Sequence, residues 1–186
     1  MTSNAPTTTT SPISAEDVKP LTELISAAAI AEIEHWRGKY PPERKRPPII
    51  AALKIVQKEH NNYLDETVMN ALAVYLDVPP IAVYEVATFY TMYNLKPVGE
   101  HVISVCTNLS CMMCGAKDVV KQLTERLNIG LGETTADGKI TLVEVECMAA
   151  CGGAPMLEVG EVFHENLTPE KIDAILQTLG WEDNHG

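Results

Sequence analysis

HVISVCTNLSCMMCGAKDVV (residues 101–120) and ITLVEVECMAACGGAP (residues 140–155) hold all five cysteines of this 186-residue chain. HVISVC is a short β-branched run bounded by turn residues, so residues 101–106 are expected to form a strand. ITLVEVEC predicts a second strand over 140–147. Cys106, Cys111 and Cys114 lie at and beyond the end of the first strand, and Cys147 and Cys151 at the end of the second. Two such strands in one sheet bring their ends to a common edge, where the thiols converge.

Between the strands, a helix is expected to start at Ser110 or Cys111, with Val119, Val120, Leu123 and Leu127 facing inward. NIGLGETTADGK then reads as a turn-rich connection. After CGGAP, MLEVG and VFHE predict two short strands with a tight turn near Gly160-Glu161. Thr168 as N-cap and Pro169 at the first helical position open a last helix, which Gly180 closes. The order β-α-β-β-β-α, with a parallel crossover first and a hairpin last, fits a thioredoxin-like domain of the α+β class.

Upstream, Asp17 can cap a helix with Pro20 in its first turn and Leu21, Leu24, Ile25, Ala28, Ile33 and Trp36 as its stripe. A second helix is expected from about Pro48, with Ile49, Ala52, Leu53 and Val56 on one face, breaking near Asn61-Asn62. Asp65 caps a third, which carries Val68, Leu72, Tyr75 and Leu76, and a fourth runs from Pro80 to about Tyr93. The expected organisation is a disordered tail over 1–15, a four-helix bundle over 16–96 and the thioredoxin-like domain over 97–182. Tyr84, Phe89, Tyr90 and Tyr93 read first as core packing, with docking onto a partner or the following domain as the alternative. PPERKRPP reads as a solvated basic loop or as a contact with an acidic partner.

Charge and composition exclude several functions. The formal net charge is −11, which disfavours nucleic acid and anionic membranes as partners. No apolar run approaches the roughly 18 residues of a membrane span. MTSNAPTTTTSPIS (1–14) has neither the charge nor the apolar segment of a targeting signal. A reducing compartment follows as the expectation, and an odd count of five cysteines there points to metal or redox chemistry rather than a disulfide frame. No phosphate-binding glycine loop, Ser-His-Asp set or carboxylate pair stands out, and none of the five histidines lies within a cysteine loop.

Three chemistries compete for the thiols. Cys106-x4-Cys111 with Cys147-x3-Cys151 supplies the four thiolates that a [2Fe–2S] cluster needs, one loop for each iron. Gly152-Gly153 and a helix start near Cys111 would then offer backbone amides against the charge of the cluster. The same four thiolates suit structural zinc, and spacing alone leaves the two about even. Cys111-x2-Cys114 is instead placed as a redox dithiol at a helix start, but that leaves the other three cysteines idle.

VPPIAVYEVATFYTMYNLKPVG (78–99), CTNLSC (106–111) and VEVECMAACGGAPM (143–156) resemble the thioredoxin-like [2Fe-2S] subunit of NADH:quinone oxidoreductase, respiratory complex I, and the resemblance runs from about Pro20 to Gly180. It implies a thioredoxin-like [2Fe-2S] ferredoxin domain preceded by the helical bundle. It also implies a cluster on Cys106, Cys111, Cys147 and Cys151, with Cys114 as a free, partly buried thiol. The implied partner is the flavin subunit that binds FMN and NADH and carries its own iron–sulfur cluster, with other peripheral-arm subunits of complex I around it. Implied too are a cytoplasmic location at the inner membrane and an electron taken from reduced FMN. Similar subunits serve NAD-reducing hydrogenases and NAD-dependent formate dehydrogenases. For Ala154-Pro155 the base rate favours trans.

Overall fold

The computed structural model describes residues 18–181, so the N-terminal tail and the Asp17 cap lie outside the described residues. The chain divides into two compact units. One comprises the described residues up to His60 together with Leu64–Leu95, and the other comprises Asn61–Tyr63 and the chain from Lys96 onward.

The first unit is helical: α1 (Leu21–Leu24), α2 (Ala27–Arg37), α3 (Ile49–Glu59), α4 (Glu66–Leu76) and α5 (Pro80–Phe89). The expected first helix is two helices. Ser26 adopts an extended conformation and accepts the Ala29 N–H at 3.2 Å, which starts a new helix and shifts its phase. Ala29 is therefore buried where the unbroken stripe predicted Ala28, which is exposed. Helices α3 and α4 bury the residues their periodicity indicated, except that Tyr75 is half-buried, and Asp65 caps α4 by accepting the Val68 N–H at 2.8 Å.

Helix α5 stops at Phe89, short of Tyr93. Beyond it the chain is held by side chains: Gln57 donates to the Met92 carbonyl and accepts from the Asn94 N–H, and the Tyr93 hydroxyl donates to the Ile50 carbonyl. The aromatic set therefore divides. Tyr93 is buried and Tyr84 half-buried, while Phe89 is 77% exposed and Tyr90 is exposed beside it. The basic connector is engaged within its own unit, since Lys45 pairs with Asp77 and Arg46 with Glu85.

The second unit runs β1 (His101–Cys106), α6 (Leu109–Met113), α7 (Ala116–Leu127), β2 (Glu133–Thr134), β3 (Ile140–Val145), β4 (Leu157–Val159), β5 (Val162–His164) and α8 (Pro169–Thr178). Its strands form one mixed sheet in the order β2-β3-β1-β4-β5. β1 and β3 are parallel, from His101 opposite Ile140 to Cys106 opposite Val145. β4 and β5 form the expected hairpin around Gly160-Glu161. β2 is an edge strand where the sequence indicated only turns. It pairs with β3 for two residues, too short a run to leave a periodic signature.

Ile103, Val105, Leu142 and Leu157 of the sheet pack with Leu123 of α7 and Ile172 and Leu176 of α8. Each such burial stabilises by roughly 1.5–3 kcal/mol before chain entropy is counted. The expected single helix after β1 is interrupted at Gly115, whose φ of +99° ends α6 and starts α7. Gly99 ahead of β1 is also required: a Cβ there would lie 2.8 Å from the Lys139 carbonyl. Its N–H donates to Thr141 Oγ1 at 2.6 Å. Ala154–Pro155 is cis, against the base-rate expectation, at a bond whose intrinsic trans preference is under about 1 kcal/mol. Among the described residues no helix is long and apolar enough to cross a membrane.

Candidate metal centre

Because β1 and β3 are adjacent and parallel, both chains leave the sheet at the same edge, and that is where the cysteines lie. Cys106 is the last residue of β1, and Cys111 sits inside α6, whose N-cap is Asn108. β3 ends at Val145, two residues earlier than expected, so Cys147 lies in the loop and Cys151 starts a single 3₁₀ turn, Cys151–Gly153. Cys106 and Cys111 are buried with Ala116 and Met156, against Val145, Met148, Ala150 and Ala154. Cys147 and Cys151 are exposed. The site thus has an apolar inner wall and an open outer side.

The thiols interact with one another. Cys106 is within hydrogen-bonding reach of both Cys111 and Cys147, and Cys111 feels the charge of Cys106 and Cys151. Burial pushes the Cys106 thiol up, but the backbone N–H groups of Asn108 and Met148, with the Cys111 and Cys147 side chains, bring it below its ordinary value. Burial and the neighbouring Cys106 push Cys111 up to about 11, against the Met156 N–H. One buried thiolate in this set thus raises the cost of a second, which a cationic metal centre offsets. Ala149 adds a fourth backbone donor, its N–H reaching Cys147 Sγ at 3.3 Å.

These observations test whether an iron–sulfur cluster fits. Four thiols in two loops, two of them walled by apolar side chains, with backbone N–H groups directed at three of the sulfurs, form a donor set of the required type and charge. Among the described residues, no three His, Cys, Asp or Glu side chains surround a single point as one ion would require. A binuclear cluster asks for two thiolates at each iron.

The amide donors include the expected helix start, through the Asn108 N–H at the N-cap of α6, and otherwise come from other residues than the glycines. The Gly153 N–H is donated to the Ala150 carbonyl at 3.1 Å rather than to a sulfur, and a Cβ at 153 would meet Glu165. The donors are Asn108, Met148, Ala149 and Met156. Ala149 has a φ of +57°, a conformation nothing in an alanine announces. Cys114 is exposed rather than partly buried, because α6 ends at Met113 and Cys114 takes the capping position. A redox dithiol needs an accessible thiol of low pKa at its N-terminal cysteine. Cys111 is 2% exposed and its thiol is pushed up, the reverse on both counts.

The fold and the donor set define a class: a thioredoxin-like domain with a cluster of thiols at one edge of its sheet. The chain belongs to the thioredoxin-like [2Fe-2S] ferredoxin family, whose profile matches residues 33–180, and its cofactor is a [2Fe–2S] cluster. Zinc is thereby set aside.

Among curated relatives, the chain is 43% identical to an NADH-quinone oxidoreductase subunit of Rickettsia bellii, over 76% of this chain and 84% of that protein. It is 42% identical to an NADH-quinone oxidoreductase subunit of Rhizobium meliloti, over 80% of this chain and 86% of that one. It is 37% identical to the mitochondrial NADH dehydrogenase [ubiquinone] flavoprotein 2 of Dictyostelium discoideum, over 81% of this chain and 61% of that one. In fold it is similar to a chain of an NAD+-reducing [NiFe]-hydrogenase in the air-oxidised state. That match has a TM-score of 0.64 at 20% identity and covers 76% of this chain and 24% of that one.

Proposed function

We propose that this chain is the electron-transfer subunit of an NADH-quinone oxidoreductase, respiratory complex I, with Cys106, Cys111, Cys147 and Cys151 holding its [2Fe–2S] cluster. The similarity to the Rickettsia bellii protein, at 43% identity over 76% of the chain, carries this reading. When bound, the cluster supplies reversible one-electron storage at low potential. The partner is a flavin subunit that binds NADH and FMN, and the electron comes from its reduced flavin. Hydride transfer belongs to that flavin, so the chain alone has no dehydrogenase activity.

The residues of this chain have separable tasks. Cys106 and Cys111 would hold the cluster from the buried side of the site, where Met156 and Ala116 pack with them and exclude water. The N–H groups of Asn108, Met148, Ala149 and Met156 offset thiolate charge without adding a cation. Cys147 and Cys151 lie on the open side, where an electron can enter from a neighbouring protein. Exposed Leu109, Met112 and Met113 on α6 are an apolar surface that a partner buries on assembly, and the helical unit separately exposes Ile81, Phe89 and Met92. The chain associates with the cytoplasmic side of the inner membrane through its partners.

The test is anaerobic purification of the full chain with iron, sulfide and zinc analysis, followed by EPR of the dithionite-reduced protein. The reading requires about two irons and two sulfides per chain and a binuclear one-electron signal. NADH must elicit the same signal only after the flavin subunit is added. A colourless protein with about one zinc, or NADH reduction without a flavin subunit, defeats it.

A further inference from the structure

The loop that carries Cys151 is clamped by a segment twelve residues further along the chain. A Cβ on Gly153 would lie 2.4–2.6 Å from Cδ, Cβ and Cγ of Glu165, so the Glu165 side chain fills the space that a larger residue at 153 would need. Because the Glu165 Cβ itself is among those atoms, a rotamer change cannot relieve the overlap. Two backbone hydrogen bonds flank the contact: Asn166 N–H to the Gly153 carbonyl at 2.7 Å and Leu167 N–H to the Pro155 carbonyl at 3.0 Å. The clamp is itself fixed. Lys171 Nζ donates to the Glu165 carbonyl at 3.1 Å, and Thr168 caps α8, whose Ile172 and Leu176 lie in the core.

We infer that Glu165 is a positioning residue for the cluster, seating the otherwise exposed Cys151 loop on the core through its packing against Gly153. The inference rests on Cys151 being a ligand. Cys106 and Cys111 are held by burial, but Cys151 has no apolar wall of its own, so the direction of its thiolate depends on the anchoring of residues 153–155. Stacking of the methylene groups of Glu165 on the bare Gly153 backbone supplies that anchoring. Support of this kind around a metal ligand is typically worth about 10–100-fold in metal retention.

The test uses the full chain carrying its cluster and compares Glu165→Ala, Glu165→Gln, Gly153→Ala and the pair Gly153→Ala with Glu165→Gly. Two readouts are taken: EPR g-values after dithionite, and the rate of iron release to a ferrous chelator. Glu165→Ala is expected to shift the g-values and release iron about tenfold faster. Glu165→Gln, which keeps the methylenes, stays native in both. Gly153→Ala loses iron, and Glu165→Gly restores it by removing the opposing Cβ. Native g-values and native release in Glu165→Ala overturn the inference, as does a Gly153→Ala chain that keeps native iron and g-values. Should Gly153→Ala fail to fold, the two Glu165 variants decide alone. The ligand assignment is checked separately by Cys151→Ser, whose EPR spectrum must change whatever stands at 165.

Discussion

Met156 joins the two halves of the site, and its replacement separates packing from ligation. Its side chain is 1% exposed between Cys106 and Cys111, its carbonyl accepts the Cys106 N–H at 3.3 Å, and its N–H faces Cys111. Met156→Ala leaves both backbone groups in place and removes only the apolar filling. A buried Met→Ala change costs about 2–5 kcal/mol, and Met→Leu under about 1.5 kcal/mol. The outer side of the site is open, so water can enter part of the void, and we expect the lower half of that range, about 2.5 kcal/mol. For a unit of this size that corresponds to a fall of roughly 10–20 °C in the midpoint of its thermal transition. Calorimetry of the cluster-loaded chain, with Met156→Leu as the volume control, reads the effect. The EPR signal of the Ala variant should keep its form, because every thiolate and amide donor remains. An Ala variant that melts with the Leu variant refutes the packing argument, and one that melts normally but loses its signal shows that Met156 acts on ligation instead.

Cys114→Ala should retain about two irons per chain and native EPR, whereas Cys147→Ser should lose or perturb the signal; equal iron loss in both would overturn the four-ligand assignment. Gly99→Ala should destabilise the sheet by about 1–3 kcal/mol in chemical denaturation, because its Cβ would meet the Lys139 backbone at 2.8 Å. Asp65→Ala should cost about 1 kcal/mol at neutral pH by removing the cap of α4. Burial pushes the Asp65 carboxyl up, yet the Val68 N–H and His60 outweigh it and hold it below its ordinary 3.8. A lowered folded-state pKa stabilises at pH values above the ordinary one, and that contribution is lost as the pH falls through the folded value. The difference between native and Asp65→Ala chains in a denaturation series should therefore narrow as the pH falls below about 4.

Patterns that depend on one side chain per turn or strand were legible in the sequence. Thr168 and Pro169 announced α8, Asp65 announced α4, and the β-branched runs at 101–106 and 140–147 located the two parallel strands. Local competition for the backbone was less visible. Ser26 and Gly115 each break a helix whose apolar periodicity continues across the break, because a capping hydroxyl or a left-handed residue decides locally what periodicity averages over. In the site, the cysteine spacing pointed to a donor set but not to its support. Asn108, Met148, Ala149 and Met156 act through backbone N–H groups, which every residue but proline carries, so their identity holds no signal. Gly153 was legible as a special position, but its partner was not, since the reason for a glycine there is Glu165.

The way charge is handled explains why this fold suits the task. Held by the four proposed thiolates, an oxidised [2Fe–2S] cluster would be a dianionic centre, inside a chain already at −11. The parallel strands end side by side, and the segments that follow them, with Met156 ahead of β4, aim backbone N–H groups at the sulfurs, so neutral dipoles face the thiols. Burial on one side covers Cys106 and Cys111, while Cys147 and Cys151 stay at the surface. A site with this division of labour has one exposed weakness, the anchoring of its outer loop. That is the place where the Gly153–Glu165 contact sits.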